Sequence, residues 1–197
     1  MARPITYDRN DTLEKAKNIF WQKGYLDTSI SDLEKATGLV RTSLYAAFGN
    51  KADLYKACLD KYRVENLVWM QTFVSSNDEP IKGLIELFDQ LIDMTYADTD
   101  KKGCLMVNAN QERIHLCKDT LQILEGNKEG ILSLYKEELS KAKKDGTLTE
   151  AFDIDSAVLA LYTLQLGMVT SIKQDIPKEQ LKKSMGLMLS KILNTKH

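Results

Sequence analysis

Proline stands at only three of 197 positions, 4, 80 and 177, and the last two fall where helical patterns begin. Elsewhere apolar residues recur at three- and four-residue spacing, and no alternating β-branched run of strand type occurs. A proline ring would break a helix interior, so this spacing leaves room for long uninterrupted helices. The fold class that follows is all-α. A small N-terminal bundle precedes a larger helical body.

The first helix is expected from about Asp11 to Lys23, with Leu13, Ala16, Ile19 and Phe20 as its apolar stripe and Gly24 just past its end. A second opens at Thr28-Ser29, where Ser29 and Asp32 have capping-box spacing, and Gly38 ends it. The third is short, about Val40 to Phe48, and buries Leu44, Ala47 and Phe48. A fourth runs from Lys51 to about Phe73. After the loop "SSNDEP", helices are expected near 80–97, 104–111, 116–144, 153–173 and 177–194. The domains drawn from this pattern are residues 1–50 and residues 51–197, with the fourth helix connecting them.

Composition is that of an ordinary globular chain, 43% hydrophobic and 28% charged, which argues against disorder. The net charge is −1, but its distribution is uneven: residues 1–63 carry net +3 and the remainder net −4. A basic head on an acidic body hints at a nucleic-acid partner. The start, "MARPITYDRND", has no apolar stretch of signal type, so a cytoplasmic location is expected. Cys58, Cys104 and Cys117 are an odd number without metal-ligand spacing, so reduced thiols are expected, with no metal and no cofactor. Residues 156–172 carry no charge; a helix buried all round, in the core or between subunits, suits them better than a membrane span.

The short third helix is the informative element. Two helices joined by a tight turn containing glycine, the second brief and polar on one side, are the layout of a helix-turn-helix. A helix that enters the major groove needs only two to three turns. With Leu44, Ala47 and Phe48 facing inward, Arg41, Thr42 and Tyr45 project where base edges and phosphates would lie. Arginine pairs with guanine, threonine offers a hydroxyl and a methyl, and tyrosine reaches a phosphate. Lys51 starts the next helix, placing an amide and an ammonium at the backbone. Thr28, Ser29 and Ser43 complete the candidate DNA-binding set.

Residues 9–56 resemble the TetR family of bacterial transcriptional regulators. "IFWQKGYLDTSISDLEKATGL" and "TSLYAAFGNKADLY" carry the resemblance, fixing Phe20, Gly24, Thr28, Gly38, Leu44, Tyr45, Phe48 and Lys51 together. It implies a TetR-type helix-turn-helix head and a helical ligand-binding and dimerisation body. The activity implied is that of a homodimeric repressor, released from a palindromic double-stranded operator by a small-molecule effector or by cysteine modification. Two positions depart from the family pattern. Val40 stands where the family often has a capping serine, so any cap must come from elsewhere. Ala46-Ala47 stand where His or Tyr often offers a phosphate contact.

In the body, Leu181, Met185, Met188 and Ile192 form a 4-3-4 stripe expected at the dimer interface. Candidate ligand-binding residues are Trp69, Phe73, Met94, Cys104, Met106, Asn108, His115, Tyr135, Tyr162 and Gln165. Asn108, His115 and Gln165 are the informative members, because a buried polar group requires a partner. "KKGCLMVNANQER" resembles a motif of a TetR subgroup at the start of the sixth helix. It puts Cys104 at a helix N-terminus beside Lys101 and Lys102, an arrangement that favours a thiolate and a sensor of electrophiles or oxidants. Cys117 lacks that flank and is expected to react slowly. The alternatives are a protein-binding adaptor, or a thiol-dependent enzyme pairing Cys104 or Glu112 with His115. No catalytic motif accompanies either pair, and the chain is read as no enzyme.

Overall fold

A computed structural model describes residues 7–193. Among them are nine α-helices, one short 3-10 turn and no strand: α1 (Arg9–Asp27), α2 (Ile30–Thr37), α3 (Arg41–Phe48), α4 (Lys51–Ser75), α5 (Pro80–Ala97), α6 (Leu105–Gln111), the turn Arg113–His115, α7 (Lys118–Lys144), α8 (Ile154–Ile172) and α9 (Lys178–Ile192). Pro4 and Asn194 lie outside the described residues.

Local chemistry sets the boundaries. Asp8 caps α1 by accepting the amides of Asn10 and Asp11, and Asp153 caps α8 by accepting that of Ser156. Ser29 with Asp32 and Asn50 with Asp53 close reciprocal capping boxes at α2 and α4. Pro80 occupies the first turn of α5, where its missing N–H leaves no helical bond unmade. Gly24 does not end α1 outright. It takes φ +82° and ψ 176° inside the helix, and the chain resumes helical form for a last turn beyond it.

Two hydrophobic cores share α4. The first gathers Ala16 and Phe20 of α1, Leu33 of α2, Leu44 and Phe48 of α3, and Leu54, Tyr55, Cys58 and Leu59 of α4. Leu105, Met106 and Ala109 of α6 and Leu124 of α7 join that same core, so the body reaches into the head. The second core runs from Met70 and Val74 of α4 through Leu84, Phe88 and Ile92 of α5, Tyr135 and Leu139 of α7, and Leu161 and Met168 of α8 to Met185 and Leu189 of α9. Each such side chain removed from water contributes about 1.5–3 kcal/mol before entropy opposes it. Where α4 and α7 cross, a Cβ on Gly130 would lie 2.7 Å from Leu67 Cδ1, so a larger residue there requires the Leu67 side chain to turn aside.

The charge-free segment 156–172, which makes up most of α8, is not buried all round. Ala157, Val158, Leu161, Met168 and Val169 face the core, whereas Leu159 on its other side is 61% exposed. By length and composition α8 is apolar enough to cross a membrane, with mean hydropathy 1.2. Within this fold it is a half-covered core helix with an apolar outer face.

Candidate nucleic-acid interface and effector cavity

The anchoring of α3 leaves its polar side outward. Leu44 and Phe48 are buried, while Arg41, Thr42 and Ala46 are exposed and Ser43 and Tyr45 half-buried. The Arg41 guanidinium lies 5.1 Å from the centre of the Tyr45 ring, which steadies the arginine without neutralising it. Val40, at the cap of α3, makes no side-chain capping bond. The cap comes from the preceding helix: Glu34 Oε1 accepts the Arg41 amide at 2.5 Å.

The other head residues have more specific roles than the sequence suggests. Thr28 is 1% exposed, and its hydroxyl donates to the Gly24 carbonyl at 2.6 Å, so it fastens the end of α1 instead of facing outward. Ser29 is engaged in its capping box, and its hydroxyl donates to Asp32 at 2.7 Å. Lys23 also donates to Asp32 at 2.7 Å; with the Ser29 contacts it holds that carboxyl far below the usual range. The Lys51 ammonium donates to the Leu26 carbonyl at 3.3 Å and sits 4.6 Å from the centre of the Tyr25 ring. Partial burial there pushes its pKa down, against the opposing pull of Glu112 and Asp27.

Head and body meet at Glu112, just beyond α6. The break at Gly24 frees the amides of Tyr25 and Leu26, and both donate to the Glu112 carboxylate, at 2.8 and 3.0 Å. A Cβ on Gly24 would stand 3.0 Å from either carboxylate oxygen. A second tie is Trp21 of α1, whose indole Nε1 donates to the Gly103 carbonyl at 3.1 Å.

Behind Trp21 lies a cavity of about 290 Å³, walled by Trp21, Tyr62, Asn66, Leu91, Met94, Asp98, Lys102, Cys104, Gln165 and Met168. It brings together three of the predicted ligand residues, Met94, Cys104 and Gln165. Gln165 spans two environments, because its carbonyl accepts the hydroxyl of fully buried Tyr135 at 2.8 Å. The remaining candidates disperse. Trp69 and Phe73 meet in a tilted ring contact, 5.7 Å between ring centres, and pack on the body core. Met106 belongs to the head core, and Tyr162 lines a separate surface cleft with Val107 and Lys128. Asn108 bridges the Lys102 carbonyl and the Lys173 ammonium. His115 is exposed on the 3-10 turn, past the end of α6 opposite to Cys104, and meets Glu112 through its backbone amide, which donates to the Glu112 carbonyl at 2.9 Å, and not through its ring. Among the described residues no cluster of three or more His, Cys, Asp or Glu is arranged to hold a metal.

The cysteines depart from expectation. Cys104 caps α6 without a side-chain bond to the helix, and its sulfur accepts the Tyr62 hydroxyl at 3.6 Å. Neither lysine serves it: Lys101 pairs with Asp175, and Lys102 pairs with Asp98 and Asp100 at 3.2 and 3.4 Å. The sequence pattern starts a helix near 116, but Cys117 is the cap residue of α7 and is exposed. Its Sγ lies 3.2 Å from Thr120 Oγ1; that hydroxyl and the amides of Thr120 and Asp119 lower its pKa. Burial pushes Cys58 up to about 12.

Trp21 and Tyr62 were missed by sequence reasoning, and Glu112 was named only as an acid/base partner of His115, not as the acceptor that holds α1. A signal existed for the first: Trp21 follows Phe20 directly, off the apolar stripe, and an indole there needs a second surface. Glu112 carries no such mark.

Residues 13–58 match the bacterial regulatory proteins of the tetR family. The transcriptional repressor ComR of Escherichia coli K12 is 34% identical over 108 residues, 54% of this chain and 51% of that protein. The chain thus aligns with about half of ComR's length. The uncharacterised regulator YezE of Bacillus subtilis 168 is 23% identical over 184 residues, covering 91% of this chain and 94% of its own. A solved structure of a CifR cysteine mutant complexed with a 26-base-pair operator superposes with TM-score 0.83 at 25% identity, covering 95% of this chain and 98% of CifR.

Proposed function

We propose, because this chain belongs to the TetR family of bacterial regulatory proteins, that it is a homodimeric repressor that binds a palindromic DNA operator. In this reading residues 1–50 form the DNA-binding head, and residues 51–197 form a body that dimerises and senses an effector. The observation that carries it is the outward face of α3: Arg41 and Thr42 stand free while Leu44 and Phe48 are locked into the core beneath them. A rigid short helix with exposed donors suits direct readout in a major groove. ComR being a repressor and CifR being held on operator DNA support the same reading.

Release follows from the cavity behind Trp21. Its volume is at the small end for ligand sites, and its walls are mostly apolar with Asn66 and Gln165 as amide groups. One wall belongs to α1 of the head, so a small molecule that fits only one arrangement of that wall shifts the head relative to the body. The shift is limited to the difference in affinity between the two arrangements. Modification of Cys104, which lines the same cavity, is the covalent route to the same end. Selection of binding sites from random duplex DNA tests the proposal. A two-fold symmetric sequence, protected by two protein chains, is expected; enrichment of no sequence would sink it.

A further inference from the structure

The turn between α2 and α3 is held by one residue that reaches across it. The Glu34 carbonyl accepts the Gly38 amide at 2.9 Å where α2 ends, and its carboxylate accepts the Arg41 amide at 2.5 Å where α3 begins. A helix start normally draws on an oxygen from its own cap residue. Val40 offers none, and the carboxylate from α2 takes over one of the open amides. Its negative charge also lies at the positive end of the α3 dipole. With the capping duty moved to Glu34, position 40 is free to hold a side chain with no oxygen.

That side chain is not in the core. Val40 is 56% exposed, at the leading edge of α3 and next to exposed Arg41 and Thr42. An isopropyl group in water gains nothing by being there. In the major groove it has a complement, the 5-methyl group of thymine, which is the apolar feature that distinguishes thymine edges from the others.

We propose that Val40 is a specificity-determining residue that packs against a thymine methyl in each operator half-site, and that Glu34 is the positioning residue that makes this possible. The inference rests on the DNA-binding reading above. The division of labour has a chemical logic: a serine at 40 would cap the helix but present a hydroxyl, which does not discriminate for a methyl group.

The experiment starts from a duplex site selected by the wild-type protein; without such a site the DNA-binding reading itself fails. Each thymine is then replaced singly by deoxyuracil, which deletes the methyl and nothing else. Wild type should lose about fourfold in affinity at one thymine per half-site, the value of burying one methyl group. Val40→Ser should be indifferent to that replacement while keeping its other base preferences. Glu34→Ala should weaken every site evenly, by about fivefold. Glu34→Ala/Val40→Ser should bind no more weakly than Val40→Ser alone, because the cap returns to its usual place. Glu34→Gln retains an acceptor oxygen but not the charge, so its affinity should fall between those of Glu34→Ala and wild type, and circular dichroism of all four variants checks that the head is folded. Wild type insensitive to every deoxyuracil, a methyl penalty that survives Val40→Ser, or Glu34→Ala binding as tightly as wild type would each overturn the proposal.

Discussion

Thiol reactivity depends on how much thiolate exists and whether a reagent can reach it, and the three cysteines separate on both counts. Cys117 is exposed with a lowered pKa, Cys104 is half-covered under Tyr62, and Cys58 is fully buried with its pKa near 12. A bulky alkylating reagent at neutral pH should therefore label Cys117 first, Cys104 more slowly and Cys58 only on unfolding. Because the Cys117 pKa is depressed, its rate should level off at a lower pH than that of a free thiol. Cys117→Ser should remove the fast phase, as followed by mass spectrometry; a fast phase that stays at Cys104 would restore the order expected from the sequence. The sequence suggests the opposite order because adjacent lysines read as a field on Cys104, whereas folding brings them partners of their own, Asp98, Asp100 and Asp175. On the DNA side, Arg41→Ala should relax preference at particular base pairs, by about 1–3 kcal/mol each. Lys51→Ala should weaken all sequences alike and reduce the salt slope by about 1, as measured by titration at several salt concentrations. An unchanged selected site for Arg41→Ala, bound equally tightly, would show that α3 is docked in another register.

At the level of elements, α6 is a short rod with work at both ends. Cys104 at its start lines the cavity, and Glu112 at its finish holds the broken end of α1. Removing the carboxylate with Glu112→Ala leaves two amides without their acceptor, at a cost of about 1–3 kcal/mol in urea unfolding. Hydrogen exchange at Tyr25 and Leu26 should quicken in that variant while α7 stays protected; unchanged exchange would mean that the latch carries no load. Gly24→Ala should cost a similar amount, since φ +82° suits glycine and the added carbon meets the same carboxylate. The helices themselves were legible in the sequence because caps and periodicity are local: Ser29 with Asp32, Pro80 at a helix start and Gly38 at a helix end all act where they are written. The latch was not legible, because Glu112 acts on amides 86 and 87 residues away that are freed by a kink at Gly24. The cavity was half legible for the same reason. Met94, Cys104 and Gln165 carry side chains suited to a binding site, but Trp21 and Tyr62 look like head packing until α1 and α4 are seen to form its wall.

Across the whole molecule the unanswered surface is the outer side of α8 and α9. The stripe read from the last helix divides into two: Leu181 and Met185 are each 4% exposed and face their own core, whereas Met188 is 36% exposed beside Leu187, a residue outside the stripe that is 56% exposed. The 4-3-4 spacing identified an apolar helix but not its angle, since Leu187 and Leu189 on either side of Met188 are also apolar. Leu187, Met188 and Ile192 flank a groove of about 940 Å³ whose other bank is Leu159, Ala160, Thr163 and Gly167 of α8. Ala160, Thr163 and Gly167 leave room between Leu159 and the large residues of α9, a shape that suits the four-helix interface expected from the sequence. Two substitutions one turn apart distinguish this arrangement from mere core packing. Met188→Glu places a carboxylate on the outer face; the monomer tolerates it within about 0.5 kcal/mol, but a dimer would have to bury it. Sedimentation should show folded monomers, and operator affinity should fall by at least tenfold, because two half-sites are no longer bound together. Met185→Glu places the same charge inside the core and should cost about 3 kcal/mol or more, so helicity and dimer are lost together. A Met188→Glu protein that sediments as an unchanged dimer would move the interface off this groove. Dimers surviving Met185→Glu would show that the core does not need α9 closed over it.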